Sequence, residues 1–131
     1  MVSYNPLFFN ILLKKNPHNK NTKIKEVLYM AIVEINKSDF QDILKNNKKI
    51  LLDFYAPWCA PCKTLAPVME KVAEENPDVL IGKINVDEEP ELVTEFCVSG
   101  IPFLVVIKNG EIVSRASGVK PKRKINEMLV N

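Results

Sequence analysis

Short apolar runs alternate along this chain with stretches of helical periodicity. Continuous apolar runs are typical of strands covered on both faces, whereas apolar residues three and four positions apart predict helices. The predicted strands are 31–35, 50–55, 79–86, 103–107 and 112–116, and the predicted helices are 38–44, 59–76, 91–96 and 121–130. This order of elements indicates an α/β protein with a central mixed sheet flanked by helices on both faces.

Local signals support several of these boundaries. Ser38 is the predicted N-cap of the first helix, with Asp39 in its positively polarised first turn. Pro90 and Pro121 suit the starts of the two later helices. Asn109-Gly110 is the strongest hairpin signal in the chain and predicts that the last two strands are antiparallel neighbours.

Composition narrows the class of protein. The chain has 131 residues, 47% hydrophobic and 26% charged, as expected for one globular domain with a real core. Residues 1–29 hold five lysines and one glutamate, so the net charge of +2 leaves residues 30–131 mildly acidic. The sequence has no cluster of basic residues that would predict nucleic-acid binding, and no apolar run is as long as a membrane span.

The first 29 residues form a separate region. A short apolar stretch is followed by lysines and a polar run, which reverses the order of a secretory signal. A transit peptide is an alternative interpretation, but the segment contains no arginine. We therefore predict a poorly ordered N-terminal extension at 1–29, a domain at 30–131, and a functional protein that begins near Met30.

Cys59 and Cys62 are the main candidates for chemistry. They stand three positions apart where a predicted strand hands over to a helix, and the helix start favours a thiolate on the first cysteine. A zinc half-site and a purely stabilising bridge are the alternatives, but zinc needs about four ligands and only Cys97 and His18 remain. Cys97 is expected to be a half-buried spectator, with regulatory oxidation or dimerisation as the alternative.

The residues around the two cysteines resemble the thioredoxin family. The resemblance rests on Asp-Phe-Tyr-Ala-Pro-Trp-Cys-Ala-Pro-Cys-Lys at 53–63, on Pro67, and on Gly-Ile-Pro at 100–102, and it covers about 32–129. It implies a thioredoxin fold and the reduction of protein disulfides. Cys59 would be the exposed nucleophile, and Cys62, one turn further and more buried, would resolve the mixed disulfide. Ala60-Pro61, with no histidine between the cysteines, indicates a reductant.

Asp53 is an acid inside an otherwise apolar strand. Burial of an unpaired carboxyl raises its pKa, and such a group near a nucleophile suits proton transfer. The resemblance implies that Asp53 lies behind Cys62 and relays its proton, and that Lys83 faces Asp53. The alternative is a solvated carboxylate at a strand end.

A substrate-binding face is implied by residues outside the Cys-x-x-Cys segment. The resemblance implies that the bond before Pro102 is cis, so that Ile101 lies against the dithiol and pairs with an extended substrate. Trp58, Ile101 and Gly118 are predicted on this face, together with Pro57 and Val119. A trans Pro102 that merely opens a strand and a Trp58 buried in the core are the alternatives.

Together these observations predict a cytoplasmic, monomeric protein-disulfide reductase. The redox centre is the Cys59/Cys62 pair, with no bound metal or organic cofactor. The resemblance implies that a thioredoxin reductase supplies electrons from NADPH and that disulfide-containing proteins are the substrates. An exported disulfide oxidase or isomerase and a non-catalytic binding module are the alternatives.

Overall fold

The computed structural model describes residues 32–130, so the predicted extension at 1–29 lies outside the described residues. The elements in chain order are β1 (Ile32–Glu34), α1 (Lys37–Asn46), β2 (Lys49–Tyr55), α2 (Ala60–Glu75), β3 (Leu80–Asn85), α3 (Pro90–Glu95), β4 (Phe103–Lys108), β5 (Glu111–Ser117) and α4 (Lys122–Val130). Every predicted element within 32–130 is present, and the boundaries differ by one or two residues.

The strands form one five-stranded mixed sheet in the order β1-β3-β2-β4-β5. β3 pairs in parallel with β1 and with β2, while β4 is antiparallel to both β2 and β5. The predicted hairpin joins β4 and β5, and Asn109 and Gly110 have the positive φ values of 50° and 81° that a tight hairpin turn needs. This topology confirms the predicted thioredoxin fold and makes β2 a central strand.

The sheet separates two apolar clusters. One lies between the sheet and the α1 and α3 side, and includes Phe54 of β2 with Phe40 of α1 and Leu92 of α3. The other lies beneath α2 and α4, and includes Leu51 of β2 with Leu65 of α2. Because side chains alternate along a strand, Asp53 points to the same face as Leu51.

The first helix departs from its prediction at both ends. Its N-cap is Asn36, whose side-chain oxygen accepts a 2.9 Å hydrogen bond from the Asp39 N–H. The prediction of Ser38 as the cap was wrong, because the Ser38 hydroxyl instead donates to the same oxygen of Asn36. The helix also continues past Leu44 to Asn46, where the Asn46 and Asn47 amides donate to carbonyl groups of the preceding turn.

α2 is the helix that follows the two cysteines. It runs without interruption from Ala60 to Glu75 and contains Pro67. Within residues 32–130, no helix is both long enough and apolar enough to cross a membrane.

Candidate active site

The two cysteines lie where β2 ends and α2 begins. Cys59 is the N-cap of α2 and Cys62 stands in its first turn, with their Cα atoms 5.3 Å apart. Their sulfurs are joined in a disulfide bond. The sequence spacing therefore brings the two thiols within bonding reach, because one turn of helix places residues three apart on the same side.

The start of α2 provides a hydrogen-bond donor to this disulfide. The Cys62 N–H donates to the Cys59 sulfur at 3.3 Å, and the first turn contains no acidic residue. Ala60 and Pro61 are exposed in the same turn, and Pro61 has no N–H of its own. Free N–H groups and the helix dipole stabilise negative charge at this position, so the site favours a thiolate on Cys59 once the disulfide is reduced.

Cys59 is buried in this oxidised state, and the prediction of an exposed nucleophile was wrong. Cys59 is 4% exposed and Cys62 is 7% exposed, so Cys62 is also not the more buried of the two. Both pack with Ala56 and against Ile101. Position at a helix start does not reveal this burial, because Ile101 comes from a loop distant in sequence.

The loop before β4 covers the disulfide. The Ile101–Pro102 peptide bond is cis, as the resemblance implies, and half-buried Ile101 packs against the cluster that the two cysteines form with Ala56. Gly118, at φ 85°, donates its N–H to the Pro102 carbonyl group at 2.8 Å. Gly118 and Val119 are therefore held beside the same loop, and Val119 is exposed.

Trp58 is exposed and is tethered by a residue that sequence reasoning missed. Its side chain is 69% exposed, so the alternative of a core tryptophan is wrong. Its indole N–H donates to the Asp87 carboxylate at 2.8 Å. Asn85 in turn accepts from the Asp87 N–H at 3.0 Å, and its carbonyl group caps the following turn. The Asn-Val-Asp string at 85–87, which begins at the last residue of β3, is the sequence pattern that could have predicted this turn.

Asp53 is buried in the sheet beneath α2. It is 2% exposed, and within residues 32–130 its Oδ1 has no hydrogen-bond partner. Loss of solvation raises the pKa of Asp53 from 3.8 to about 6, with Lys83 lowering it and Glu34 raising it. The alternative of a solvated carboxylate at a strand end is therefore wrong.

Lys83 stands opposite Asp53 in the parallel register of β2 and β3. Its ammonium group lies over the Tyr55 ring, 4.3 Å from the centroid. The Tyr55 hydroxyl donates to Glu34 at 2.6 Å, and Glu34 stands opposite Lys83 on β1. Sequence reasoning found Lys83 but missed Tyr55 and Glu34, because strand order β1-β3-β2 is not readable from alternation alone.

The third cysteine lies apart from this pair. Cys97 is exposed and unpaired, so the prediction of a half-buried residue was wrong. Cys97 has a φ of 54° and directly follows Phe96, the C-cap residue of α3. This turn leaves the Cys97 side chain outside the core. Within residues 32–130, no three or more His, Cys, Asp and Glu side chains form a group that could hold a metal ion.

The fold and this site define a class of protein. A disulfide at a helix start, a cis-proline loop packed on it and a buried acid on the adjacent strand together form a centre for thiol–disulfide exchange. The two sulfurs themselves carry the two electrons that such an exchange transfers.

Comparison with known proteins gives the family. The Thioredoxin family model matches residues 31–131. A thioredoxin of Alicyclobacillus acidocaldarius is 37% identical over 102 residues, which span 77% of this chain and 97% of that protein. The solved structure of oxidised mitochondrial thioredoxin 3 of Saccharomyces cerevisiae is 32% identical in sequence, with a TM-score of 0.72. The match covers 79% of this chain and 97% of the yeast chain.

A bifunctional thioredoxin reductase/thioredoxin of Mycobacterium leprae is 44% identical over 86 residues, which are 65% of this chain and 19% of that protein. On the family match and these identities, the chain belongs to the thioredoxin family. It is a thiol–disulfide oxidoreductase that reduces protein disulfides by exchange through Cys59 and Cys62. Its redox centre is this disulfide rather than a bound cofactor.

Proposed function

We propose that Cys59 is the nucleophile and Cys62 the resolving thiol of this reductase. The observation that carries the assignment is the position of Cys59 as N-cap, with the Cys62 N–H donating to its sulfur at 3.3 Å. The Cys59 thiolate attacks one sulfur of a substrate disulfide, and the other substrate sulfur leaves as a thiolate. Cys62 then attacks the Cys59 sulfur, which releases the second substrate thiolate and re-forms the protein disulfide.

Asp53 serves this cycle as a proton-transfer group. Cys62 must lose its proton before it attacks, and Asp53 lies on the sheet face that α2 covers. A carboxyl with a pKa of about 6 is largely ionised at neutral pH and still accepts a proton readily. Lys83, opposite Asp53, supports the carboxylate form.

Residues around the disulfide bind the substrate chain. Exposed Trp58 offers apolar surface to an extended polypeptide, and Gly118 gives close access beside the Pro102 loop. The backbone of Ile101 pairs with the substrate as an added strand. Because Cys59 is nearly covered in the oxidised state, we expect Ile101 and Trp58 to be the first groups that a substrate contacts.

Ala60 and Pro61 tune the redox poise towards reduction. Neither residue offers a side-chain donor or a positive charge to the Cys59 thiolate, as a histidine between the cysteines would. Weaker stabilisation of the dithiol form makes the pair a better reductant.

Electrons come from NADPH through a thioredoxin reductase. The Mycobacterium leprae relative, described as a fusion of reductase and thioredoxin, supports such a partner for this chain. We further propose disulfide-containing proteins as substrates, a monomer as the working form, a cytoplasmic location, and a domain spanning 30–131. No observation favours the exported oxidase or the non-catalytic module.

Substitution of each cysteine tests the assignment. In reductase-driven insulin reduction, Cys59→Ser is expected to lose about a thousandfold or more of the rate, because it removes the thiolate at the helix start that attacks the substrate. Cys62→Ser should instead accumulate a mixed disulfide between Cys59 and insulin, detectable by mass spectrometry. Cys97→Ser is the matched control and should retain the parent rate. Equal rates for Cys59→Ser and the parent protein would end the nucleophile assignment.

A further inference from the structure

Three charged side chains lie side by side across β1, β3 and β2. Glu34 is opposite Lys83, and Lys83 is opposite Asp53, in one continuous parallel register. Tyr55, two residues after Asp53, points to the same face of the sheet. A lysine therefore stands between two carboxylates, of which Glu34 is exposed and Asp53 is buried.

The Lys83 ammonium group rests on Tyr55 rather than in an ion pair. Its Nζ is 4.3 Å from the centroid of the Tyr55 ring, a distance typical of a cation–π contact. The ion pairs within residues 32–130 are made by other lysines and arginines. The ammonium group thus lies on the ring, with the two carboxylate residues on the strands to either side of Lys83.

Tyr55 also fixes the outer carboxylate. Its hydroxyl donates to Glu34 Oε1 at 2.6 Å. Burial, followed by the hydrogen bond to Glu34, raises the pKa of Tyr55, so the hydroxyl stays protonated and remains a donor at neutral pH. The Glu34 charge is consequently held beside the ring that carries Lys83.

We propose that Glu34, anchored by Tyr55, is a positioning residue that draws the Lys83 ammonium group outward and so limits the positive charge that reaches buried Asp53. This inference rests on the proposed proton-transfer role of Asp53 and extends it to the outer strand β1. Tyr55 connects the two ends of this row, because it packs against the cluster of the two cysteines, bonds Glu34 and carries Lys83, so the influence of Glu34 passes through Tyr55 and Lys83.

The charges around Asp53 agree in direction with this arrangement. Lys83 on β3 lowers the pKa of Asp53, and Glu34 on β1 raises it. Glu88, from the turn after β3, acts on Tyr55, and buried Cys62 in the first turn of α2 becomes a free thiol once the disulfide is reduced. Removing the Glu34 charge should therefore lower the pKa of Asp53 both directly and by releasing Lys83 towards it.

Glu34→Gln is the decisive variant, because the amide oxygen still accepts the Tyr55 hydrogen bond while the charge is lost. The readout is the ¹³C titration of the Asp53 carboxyl carbon in the oxidised protein, which a merely structural role would not move. We expect the midpoint to fall by about 0.5 pH unit, the size of one nearby charge in a partly solvated setting. Glu74→Gln, which removes an exposed charge near the far end of α2, is the matched control and should leave the midpoint unchanged.

The route through Lys83 is tested in a Lys83→Met background. If Glu34 acts through the ammonium group, Glu34→Gln should move the Asp53 midpoint less in that background than in the parent chain. Equal shifts in both backgrounds would overturn the positioning role and leave only a direct field. If Glu34→Gln in the parent chain gives the same Asp53 midpoint as Glu74→Gln, the inference is overturned altogether.

Tyr55→Phe tests the anchor while retaining the ring. Without the hydroxyl, the Glu34 carboxylate is released into solvent, so the midpoint should fall in the same direction, and adding Glu34→Gln should change it little further. A midpoint that rises or stays constant in Tyr55→Phe would refute the anchoring by Tyr55.

A separate measurement keeps the proton-transfer role apart from this inference. If Asp53→Asn leaves the pH profile of insulin reduction unchanged, the proposed role of Asp53 fails. The carboxyl titrations of the Glu34 and Lys83 variants would still decide whether Glu34 positions the ammonium group. If Asp53 does transfer the proton, the pH profile of Glu34→Gln should move to lower pH together with the Asp53 midpoint.

Discussion

The two faces of strand β2 serve different purposes. Ile50, Leu52 and Phe54 point into the apolar cluster beneath α1 and α3. Leu51 and Asp53 point towards α2, and there the apolar packing is interrupted by a buried carboxyl whose Oδ1 has no hydrogen-bond partner in residues 32–130. Adjacent residues of one strand thus serve stability on one side and chemistry on the other.

The difference shows where this fold gives up stability. Phe54 is fully buried against Phe96 and Phe103, with ring centroids 5.5 and 6.2 Å away. Asp53 is almost as deeply buried, but its ionisation is opposed by the loss of solvation. A protein selected only for stability would carry an apolar residue at position 53. Substitutions on each face in turn test whether the two faces differ in this way.

The largest expected effect is on the apolar face. Phe54→Ala should lower the free energy of unfolding by about 3–5 kcal/mol, because it removes a fully buried ring and leaves a cavity. Urea denaturation followed by circular dichroism measures the loss. Val113→Ala, at an exposed position of β5, is the control and should change stability by less than about 0.5 kcal/mol. A small loss for Phe54→Ala would mean that the two faces do not differ as described.

Asp53→Asn tests the other face and should change stability in a pH-dependent way. The folded-state pKa of about 6 lies above the ordinary 3.8, so the parent protein loses stability as pH rises from about 4 to above 6. Each pKa unit corresponds to about 1.4 kcal/mol. The free energy of unfolding of Asp53→Asn should therefore rise by about 3 kcal/mol relative to that of the parent protein over this pH range.

Urea denaturation at pH 3.5, 5 and 7.5 measures this gain, and Asp42→Asn, an exposed change of the same kind on α1, provides the comparison. A stability difference between Asp53→Asn and the parent that does not vary with pH would contradict the raised pKa.

Lys83→Met should produce a smaller effect on the same face. Loss of the ammonium group removes the charge that lowers the pKa of Asp53, so the carboxyl midpoint should rise above about 6, by about one pH unit. The pH profile of insulin reduction should shift upward with it. Lys71→Met, an exposed change on α2, should shift neither. An unchanged midpoint would show that Lys83 does not act on Asp53.

The smallest effect is expected at the rim of the site. Asp87→Asn weakens the hydrogen bond that holds the Trp58 indole, and a loss of about 0.5–1 kcal/mol should raise the KM for insulin roughly twofold to fivefold with little change in kcat. Glu88→Gln is the neighbouring control for the loss of charge. An equal rise in KM for both variants would assign the effect to charge rather than to the tether.

Local sequence patterns account for most of the fold and for part of the site. The apolar run of β2, the Asn109-Gly110 hairpin and the spacing of Cys59 and Cys62 all act over a few residues, so they are readable without the rest of the chain. The resemblance to the thioredoxin family added two further predictions, the cis bond before Pro102 and the position of Lys83 opposite Asp53.

What the local patterns missed depends on long-range packing. The burial of Cys59 under Ile101, the tether from Asp87 to Trp58, and the exposed turn at Cys97 each join or separate segments distant in sequence. Even the first cap was assigned to the wrong residue, because Asn36 and Ser38 both suit the role and only the chain path selects between them.

The amino-acid sequence was enough to predict the order of the elements, a disulfide at the start of a helix and an acid within an apolar strand. These depend on spacing, periodicity and side-chain chemistry. The tertiary structure alone placed Glu34 beside Lys83 and Asp53, since strands β1, β3 and β2 become neighbours through sheet pairing between distant segments. It likewise decided how much solvent each group loses on folding, because burial is set by everything that packs around a residue.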